Sequence, residues 1–180
     1  VKAFAGSVSG TVDWADTVSS DIVIITSGIP RKPGMSRDDL LAKNAAIVKS
    51  VTEQIVKTSP DALIIVVCNP LDVMVAVAAQ VSGFATTKCM GLAGALDSAR
   101  FANSISVELG VSIEDIKGVL MGGHGDSMVP LPRFTSISGI PLPELMEQAK
   151  IDELTERARK GGIEIVNLMG TSAYYAPAAG

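Results

Sequence analysis

The chain contains a single histidine, His124, which lies between glycines in the stretch MGGHGDS at residues 121–127. An imidazole has an unperturbed pKa of about 6.5, so it can take up and release a proton near neutral pH. Flanking glycines lack a Cβ and allow backbone and substrate to come close to the ring. This placement favours a role in proton transfer. A surface histidine or a hydrogen-bonded core histidine is the alternative for the residue considered alone.

A cationic segment, GIPRKPGMSRDDL at residues 28–40, follows the apolar run DIVIIT. It carries Arg31 and Arg37, with a lysine between them, on a chain whose formal net charge is −4. Because a guanidinium group binds a carboxylate through two parallel hydrogen bonds, the segment is typical of a site for a small anion. Both arginines lie on one loop flanked by glycine and proline, so we also expect the segment to close over the anion as a lid. The alternative is a solvated loop whose arginines pair with the two aspartates that follow.

Two further motifs place polar groups where a ligand could reach them. Asn69 follows the apolar run at 62–68, which is typical of a strand in a parallel sheet covered on both faces. Such sheets bind ligands beyond the carboxyl ends of their strands. Asp97 and Arg100 lie three apart in LDSARF and share one face of a helix. The carboxylate could orient a histidine and stabilise its protonated form, and the arginine could bind a substrate carboxylate. An Asn-Pro turn and an ordinary ion pair are the alternatives.

The segments that position these residues alternate between strand and helix patterns. Apolar runs and helical spacing predict, in chain order, a strand at 21–26, a helix at 37–58, strands and helices at 62–68, 71–81, 89–92 and 95–109, then strands at 116–121 and within 128–140. A last helix is predicted at 151–168, and Gly161 and Gly162 should kink or interrupt it. We therefore predict an α/β fold. A doubly wound, parallel Rossmann-type sheet is expected at 1–115, and the start of a mixed α+β domain follows at 116–180.

Five motifs in chain order resemble those of the lactate and malate dehydrogenase family. They are PRKPGMSRDDL, CNPLD, LDSARF, GGHGDSMVPL and GTSAYYAPA. The resemblance runs over essentially all 180 residues, and five motifs with this order and spacing are specific. It implies an NAD-dependent oxidoreductase that transfers a hydride to and from a small 2-hydroxy acid. It also implies that residues 1–115 are a partial dinucleotide-binding domain and residues 116–180 a partial substrate domain.

The resemblance also implies a role for each motif residue. His124 would be the catalytic acid and base, Asp97 its partner, and Arg37 the arginine that polarises the reacting carbonyl. Arg100 would pair with the adjacent carboxylate. Asn69 would orient substrate and cofactor, with a cis bond to the proline that follows it. The residues implied as cofactor contacts are Asn44, Val67, Cys68 and Asn69.

Arg31 separates the two branches of the family. Lactate enzymes carry a neutral glutamine at this position, whereas malate enzymes carry an arginine. A buried arginine that faced a methyl group would be left unpaired, but it would pair with a second carboxylate. The resemblance thus implies malate and oxaloacetate as substrates and the prokaryotic, lactate-dehydrogenase-like type, which the small Ala173 supports. A dehydrogenase for lactate or another 2-hydroxy acid, and a non-catalytic binding fragment, remain as alternatives.

One expected element is missing from the sequence. No stretch fits G-x-G-x-x-G, the phosphate-binding turn of a dinucleotide fold. We therefore expect the chain to be the interior of a longer protein, without the first βαβ unit and the C-terminal part. The residue that selects between NAD and NADP would then lie outside the chain. NAD is therefore taken from the family resemblance.

Composition agrees with a soluble globular protein, since 47% of residues are hydrophobic and 19% are charged. The absence of a basic cluster interleaved with aromatics argues against nucleic acid as a partner. The uncharged run at 73–87 is too short and too polar to span a bilayer. Cys68 and Cys89 lie in apolar runs and are interpreted as buried thiols, with no metal site expected. The resemblance adds a dicarboxylate substrate and a cytoplasmic homo-oligomer, either a dimer or a tetramer.

Overall fold

The first part of the chain alternates strands and helices, as predicted. A computed structural model describes residues 6–30, 37–124 and 127–169. The elements up to residue 109 are β1 (Ile22–Ile25), α1 (Arg37–Thr58), β2 (Leu63–Val66), α2 (Leu71–Ser82), β3 (Cys89–Gly91) and α3 (Gly94–Leu109). The three strands form one parallel sheet in the order β1-β2-β3, which confirms the predicted α/β class.

The second part consists of short antiparallel strands and a long helix. Its elements are β4 (Ile116–Lys117), β5 (Leu120–Gly122), β6 (Met128–Pro130), β7 (Ser136–Ile137), β8 (Ile140–Pro141), α4 (Leu142–Leu145) and α5 (Gln148–Met169). β5 pairs with β6, and β7 pairs with both β4 and β8. The strand predicted at 116–121 is therefore wrong as a single element. The break falls at Gly118 and Val119, and Gly118 lies so close to α3 that an added Cβ would be 2.8 Å from the backbone oxygen of Ser98.

Helix boundaries follow from local chemistry. Two aspartates in the first turn of α1 and Lys57 in its last turn complement the helix dipole. α2 and α3 end at Gly83 and Gly110, whose φ values of 65° and 66° lie in the left-handed region that favours glycine. Both ends of α1 agree with the prediction from its apolar spacing.

The interruption expected at Gly161 and Gly162 does not occur, because α5 is continuous from Gln148 to Met169. Each glycine inside a helix costs roughly 1 kcal/mol relative to alanine. Ile151, Leu154 and Ala158 of α5 are at most 3% exposed in the cluster that α3 shares. Burial of this apolar stripe outweighs the local preference.

The core comprises two apolar clusters that meet at α3. The first lies between the sheet and the helices α1 and α2, and it extends to Ala93. The second starts at Phe101 and joins α3, α5 and the short strands. Residues 94–100 therefore lie where the two clusters adjoin, which is the segment that carries Asp97 and Arg100.

One face of the parallel sheet is apolar and exposed within the described part of the chain. Ile22, Ile24, Leu63 and Met90 are between 37% and 53% exposed. The register places Ile22 opposite Leu63, so these side chains project from the same face. The expectation that both faces are covered is therefore not met by the described residues, because α1 and α2 pack on the other face.

Both cysteines are buried and free, which confirms the interpretation of the two residues as buried thiols. Burial raises the pKa of the Cys68 thiol and of the Cys89 thiol. Among the helices of the described residues, none is both long enough and apolar enough to cross a membrane.

Candidate functional site

Asp97 joins the histidine and one of the arginines singled out from the sequence. It lies in the first turn of α3 and is 2% exposed. Its Oδ2 is 2.9 Å from Nδ1 of His124, and its Oδ1 is 3.4 Å from Nη1 of Arg100. Three of the predicted site residues thus meet at one buried carboxylate. The two partners also offset the cost of burying its charge.

This contact defines which imidazole nitrogen can exchange a proton. A carboxylate only accepts, so Nδ1 of His124 carries the proton that is donated to Asp97. Proton exchange with a substrate then falls to Nε2. The His124 side chain is 24% exposed, so a small molecule can reach it from one side.

The strand that leads to His124 is attached to α3 by a hydrogen bond. The N–H of Leu120 donates to Oγ of Ser98, at 3.0 Å. Ser98 directly follows Asp97, so this contact ties the base of β5 to the turn of α3 that carries the carboxylate. The two residues are 22 apart in the sequence, and no local pattern indicates the contact. Sequence reasoning therefore missed Ser98.

Gly122 is the last residue of β5 and lies two residues before His124. Its φ is 85°, and an added Cβ would lie 2.7 Å from the backbone oxygen of Ser127. Any larger residue would be strained in conformation and would collide with the backbone. Gly122 is thus required by the backbone conformation at this position.

A second group of contacts centres on Asn44, which is 1% exposed on α1. Its Oδ1 accepts from the N–H of Ile29 at 2.8 Å, and its Nδ2 donates to the backbone oxygens of Ile29 at 3.3 Å and Asn69 at 2.6 Å. Both amide protons are therefore used within the chain. Asn44 connects the segment after β1 with the segment after β2, where the Asn69-Pro70 bond is cis as expected.

The carboxyl ends of β1 and β2 lie close together beside Asn44. Val67 and Cys68 are 8% and 5% exposed, and an added Cβ on Gly28 would lie 3.3 Å from Cβ of Cys68. At the same edge, Oγ of Ser27 is buried without a hydrogen-bond partner among the described residues. A buried hydroxyl of this kind calls for a polar group to satisfy it.

The two groups of residues adjoin through the first turn of α2. An added Cβ on Gly123 would lie 3.1 Å from Oδ2 of Asp72. Asp72 follows Asn69 by three residues, and Gly123 precedes His124 directly. Asn69 and His124 are therefore carried by segments in close contact.

Two predicted arginines are described less fully. Arg31 lies outside the described residues, as do Ala173 and the predicted lid segment between Arg31 and Arg37. Arg37 is the first residue of α1.

Comparisons with known proteins cover almost the whole chain. Residues 3–91 match the NAD binding domain of lactate/malate dehydrogenase, and residues 94–180 match the alpha/beta C-terminal domain of the same family. The curated malate dehydrogenase of Salinibacter ruber is 58% identical over 179 residues, which cover 99% of this chain and 57% of that protein. The chain thus spans somewhat more than half the length of this relative.

Solved structures give the same result. The malate dehydrogenase structure from Salinibacter ruber matches with a TM-score of 0.85 and 56% identity, covering 93% of this chain and 52% of that one. A Plasmodium falciparum malate dehydrogenase in complex with NADH matches with a TM-score of 0.83 and 40% identity, covering 94% of this chain and 55% of that one. The chain belongs to the lactate/malate dehydrogenase family.

Proposed function

We propose that this chain serves, within the protein its gene encodes, the reversible NAD-dependent oxidation of (S)-malate to oxaloacetate. The observation that carries the proposal is the buried Asp97 carboxylate, which contacts His124 at 2.9 Å and Arg100 at 3.4 Å. Asp97 thereby holds in place both a proton-transfer group, His124, and a group that can bind a carboxylate, Arg100. Names of relatives covering 99% of the chain support the same reaction.

In the direction of malate oxidation, Nε2 of neutral His124 takes the proton of the C2 hydroxyl. Asp97 stabilises the imidazolium that results, because its carboxylate accepts the Nδ1 proton. The hydride of C2 leaves as the proton is taken, and NAD, when bound, would supply the hydride acceptor. In the reverse direction, protonated His124 returns the proton to the carbonyl oxygen of oxaloacetate.

The arginines would bind the two ends and the reacting oxygen of the substrate. Arg100 would hold the carboxylate next to the reacting carbon by a bidentate pair. Arg37 would stabilise the negative charge that develops on the oxygen. Arg31 would bind the second carboxylate, so that a dicarboxylate is preferred over lactate or pyruvate. The roles of Arg37 and Arg31 rest on the family motif.

Residues at the carboxyl ends of β1 and β2 would hold the cofactor. Val67, Cys68 and Asn69 would line its nicotinamide end, and the unsatisfied hydroxyl of Ser27 fits a polar ligand at this edge. Asn44 would contribute by holding the backbone of Asn69 in place, since both of its amide protons are donated within the chain. The NAD binding domain matched at residues 3–91 supports NAD as the cofactor.

The proposal includes a cytoplasmic homo-oligomer, either a dimer or a tetramer, as the family resemblance implies. Sedimentation of the complete gene product measures the oligomeric state directly. A monomer at micromolar concentration would contradict this part of the proposal without affecting the chemistry.

The reaction is tested by following NADH oxidation with oxaloacetate and with pyruvate, using the complete gene product and the chain of 180 residues side by side. We expect turnover with oxaloacetate and little with pyruvate in the complete protein. The variant His124→Asn should abolish it while the thermal transition is retained. A preference for pyruvate, or full activity in His124→Asn, would refute the proposal.

A further inference from the structure

Gly161, in the middle of α5, lies directly against the side chain of Arg100. An added Cβ on Gly161 would be 3.2 Å from Cδ and 3.3 Å from Nε of Arg100. Ordinary van der Waals contacts of a Cβ atom begin at 3.4 Å, so even one methyl group would push the arginine away. The side chain of Arg100 therefore packs directly against the backbone of α5 at Gly161.

Backbone conformation does not account for a glycine at this position. The described glycines with a left-handed φ are Gly83, Gly110, Gly122 and Gly139, whereas Gly161 is helical. An alanine would fit the helix better by roughly 1 kcal/mol. The absence of a side chain at Gly161 leaves the space that the Arg100 side chain occupies.

Arg100 is confined from two sides. Its Nη1 lies 3.4 Å from Oδ1 of Asp97, and Gly161 lies against its stem. Its side chain is only 16% exposed. Moving the stem by a few tenths of an ångström therefore shifts the guanidinium group relative to the carboxylate and to the histidine that the same carboxylate holds.

We propose that Gly161 is a positioning residue for substrate binding, because its lack of a side chain sets where the Arg100 guanidinium meets the substrate carboxylate. The inference rests on the proposed function, in which Arg100 binds that carboxylate. A bidentate pair depends on the alignment of two parallel hydrogen bonds, so a small displacement weakens both.

The test compares Gly161→Ala with the complete wild-type gene product. We expect the KM for oxaloacetate to rise about tenfold, which corresponds to about 1.4 kcal/mol of lost carboxylate binding. The KM for NADH should stay within twofold. The melting temperature should stay equal or rise, since alanine favours the helix. Loss of substrate affinity in a protein that is no less stable is a result that a merely structural role would not produce. Gly161→Ser, which adds the same Cβ, should raise the KM as well.

Lys160→Ala is the matched control, because this neighbouring side chain is 70% exposed and pairs with Glu156. It should leave both KM values unchanged. Arg100→Lys and the double variant Arg100→Lys/Gly161→Ala complete a cycle. If Gly161 acts through Arg100, adding Gly161→Ala to Arg100→Lys should change the KM by less than twofold.

Two results would overturn the inference in distinguishable ways. A normal KM in Gly161→Ala, together with a raised KM in Arg100→Lys, would refute the role of Gly161 and leave the proposed function intact. A normal KM in Arg100→Lys would show that Arg100 does not bind the substrate, and both the assignment of Arg100 and the inference would fail.

Discussion

The substitution Asp97→Asn separates the charge of the central carboxylate from its shape. Asparagine has nearly the same volume, and its amide oxygen can still accept the Nδ1 proton of His124 if the ring keeps its position. The negative charge that stabilises the imidazolium is lost. The structure places that charge 2.9 Å from Nδ1 and 3.4 Å from Nη1 of Arg100, with the carboxylate 2% exposed.

The size of the effect follows from these contacts. A hydrogen bond to a charged group contributes roughly 1.5–3 kcal/mol, and the upper end applies where the carboxylate is buried. His124 is 24% exposed, so solvent screens part of the additional Coulombic attraction. We therefore expect about 3 kcal/mol less stabilisation of the protonated histidine in the transition state, or about a 150-fold lower kcat. The free energy of unfolding should also fall, by about 3 kcal/mol, because the substitution removes the charge of one partner of a largely buried ion pair.

The assay is steady-state oxidation of NADH by oxaloacetate at saturating concentrations of both, with urea denaturation in parallel. Glu108→Gln is the matched control. This acidic residue lies on the same helix, is 39% exposed and pairs with Lys150, so its kcat should equal that of the wild type. A kcat for Asp97→Asn within fivefold of the wild type, in a protein where His124→Asn is inactive, would refute the reasoning that the charge assists proton transfer.

Three further outcomes are expected. Arg31→Gln should lower kcat/KM for oxaloacetate and raise it for pyruvate, and an unchanged ratio would count against Arg31 as the residue that binds the second carboxylate. Asn44→Ala removes the three hydrogen bonds that this buried side chain makes to backbone groups of Ile29 and Asn69, so the free energy of unfolding in urea should fall by about 3 kcal/mol; a loss below about 1 kcal/mol would mean that these contacts contribute little. Burial raises the pKa of Cys68 and of Cys89, which lowers their thiolate fraction at pH 8. Iodoacetamide should therefore label the native protein slowly at pH 8, faster as the pH rises above 9 and rapidly in urea, and fast native labelling at pH 8 would contradict that burial.

Local sequence patterns predicted the bounds of a helix or strand well where those bounds depend on the residues of that element alone. The helix predicted at 37–58 has the same bounds as α1, and Val48 and Ile55 of its predicted apolar stripe are at most 1% exposed. The parallel strands were predicted at the right places but are shorter, since β2 pairs only from Leu63 to Val66. The strand at 116–121 was predicted wrongly as one element, and its break lies against α3, a contact that no local pattern contains.

The residue types of the candidate site and the contact between Asp97 and His124 were predicted, but the attachment of β5 to α3 was not. Asp97 and Arg100 were assigned to one helix face from their spacing, and the structure places them 3.4 Å apart. The contact of Asp97 with His124 spans 27 residues, so its length depends on how β5 is attached to α3. Ser98 makes that attachment, and a serine after an aspartate carries no distinctive signal in the sequence.

Gly161 shows that glycine can lower the intrinsic stability of a helix without interrupting it. Two adjacent glycines do weaken a helix, and on propensity alone α5 should break there. The apolar stripe of α5 packs on α3 and keeps the helix intact, and the same packing brings the backbone of Gly161 against Arg100. The residue that lowers helix propensity is therefore the one that permits the close approach of α5 to a candidate substrate-binding group. A glycine that persists inside a well-packed helix, without a left-handed φ, indicates a neighbour that needs the space.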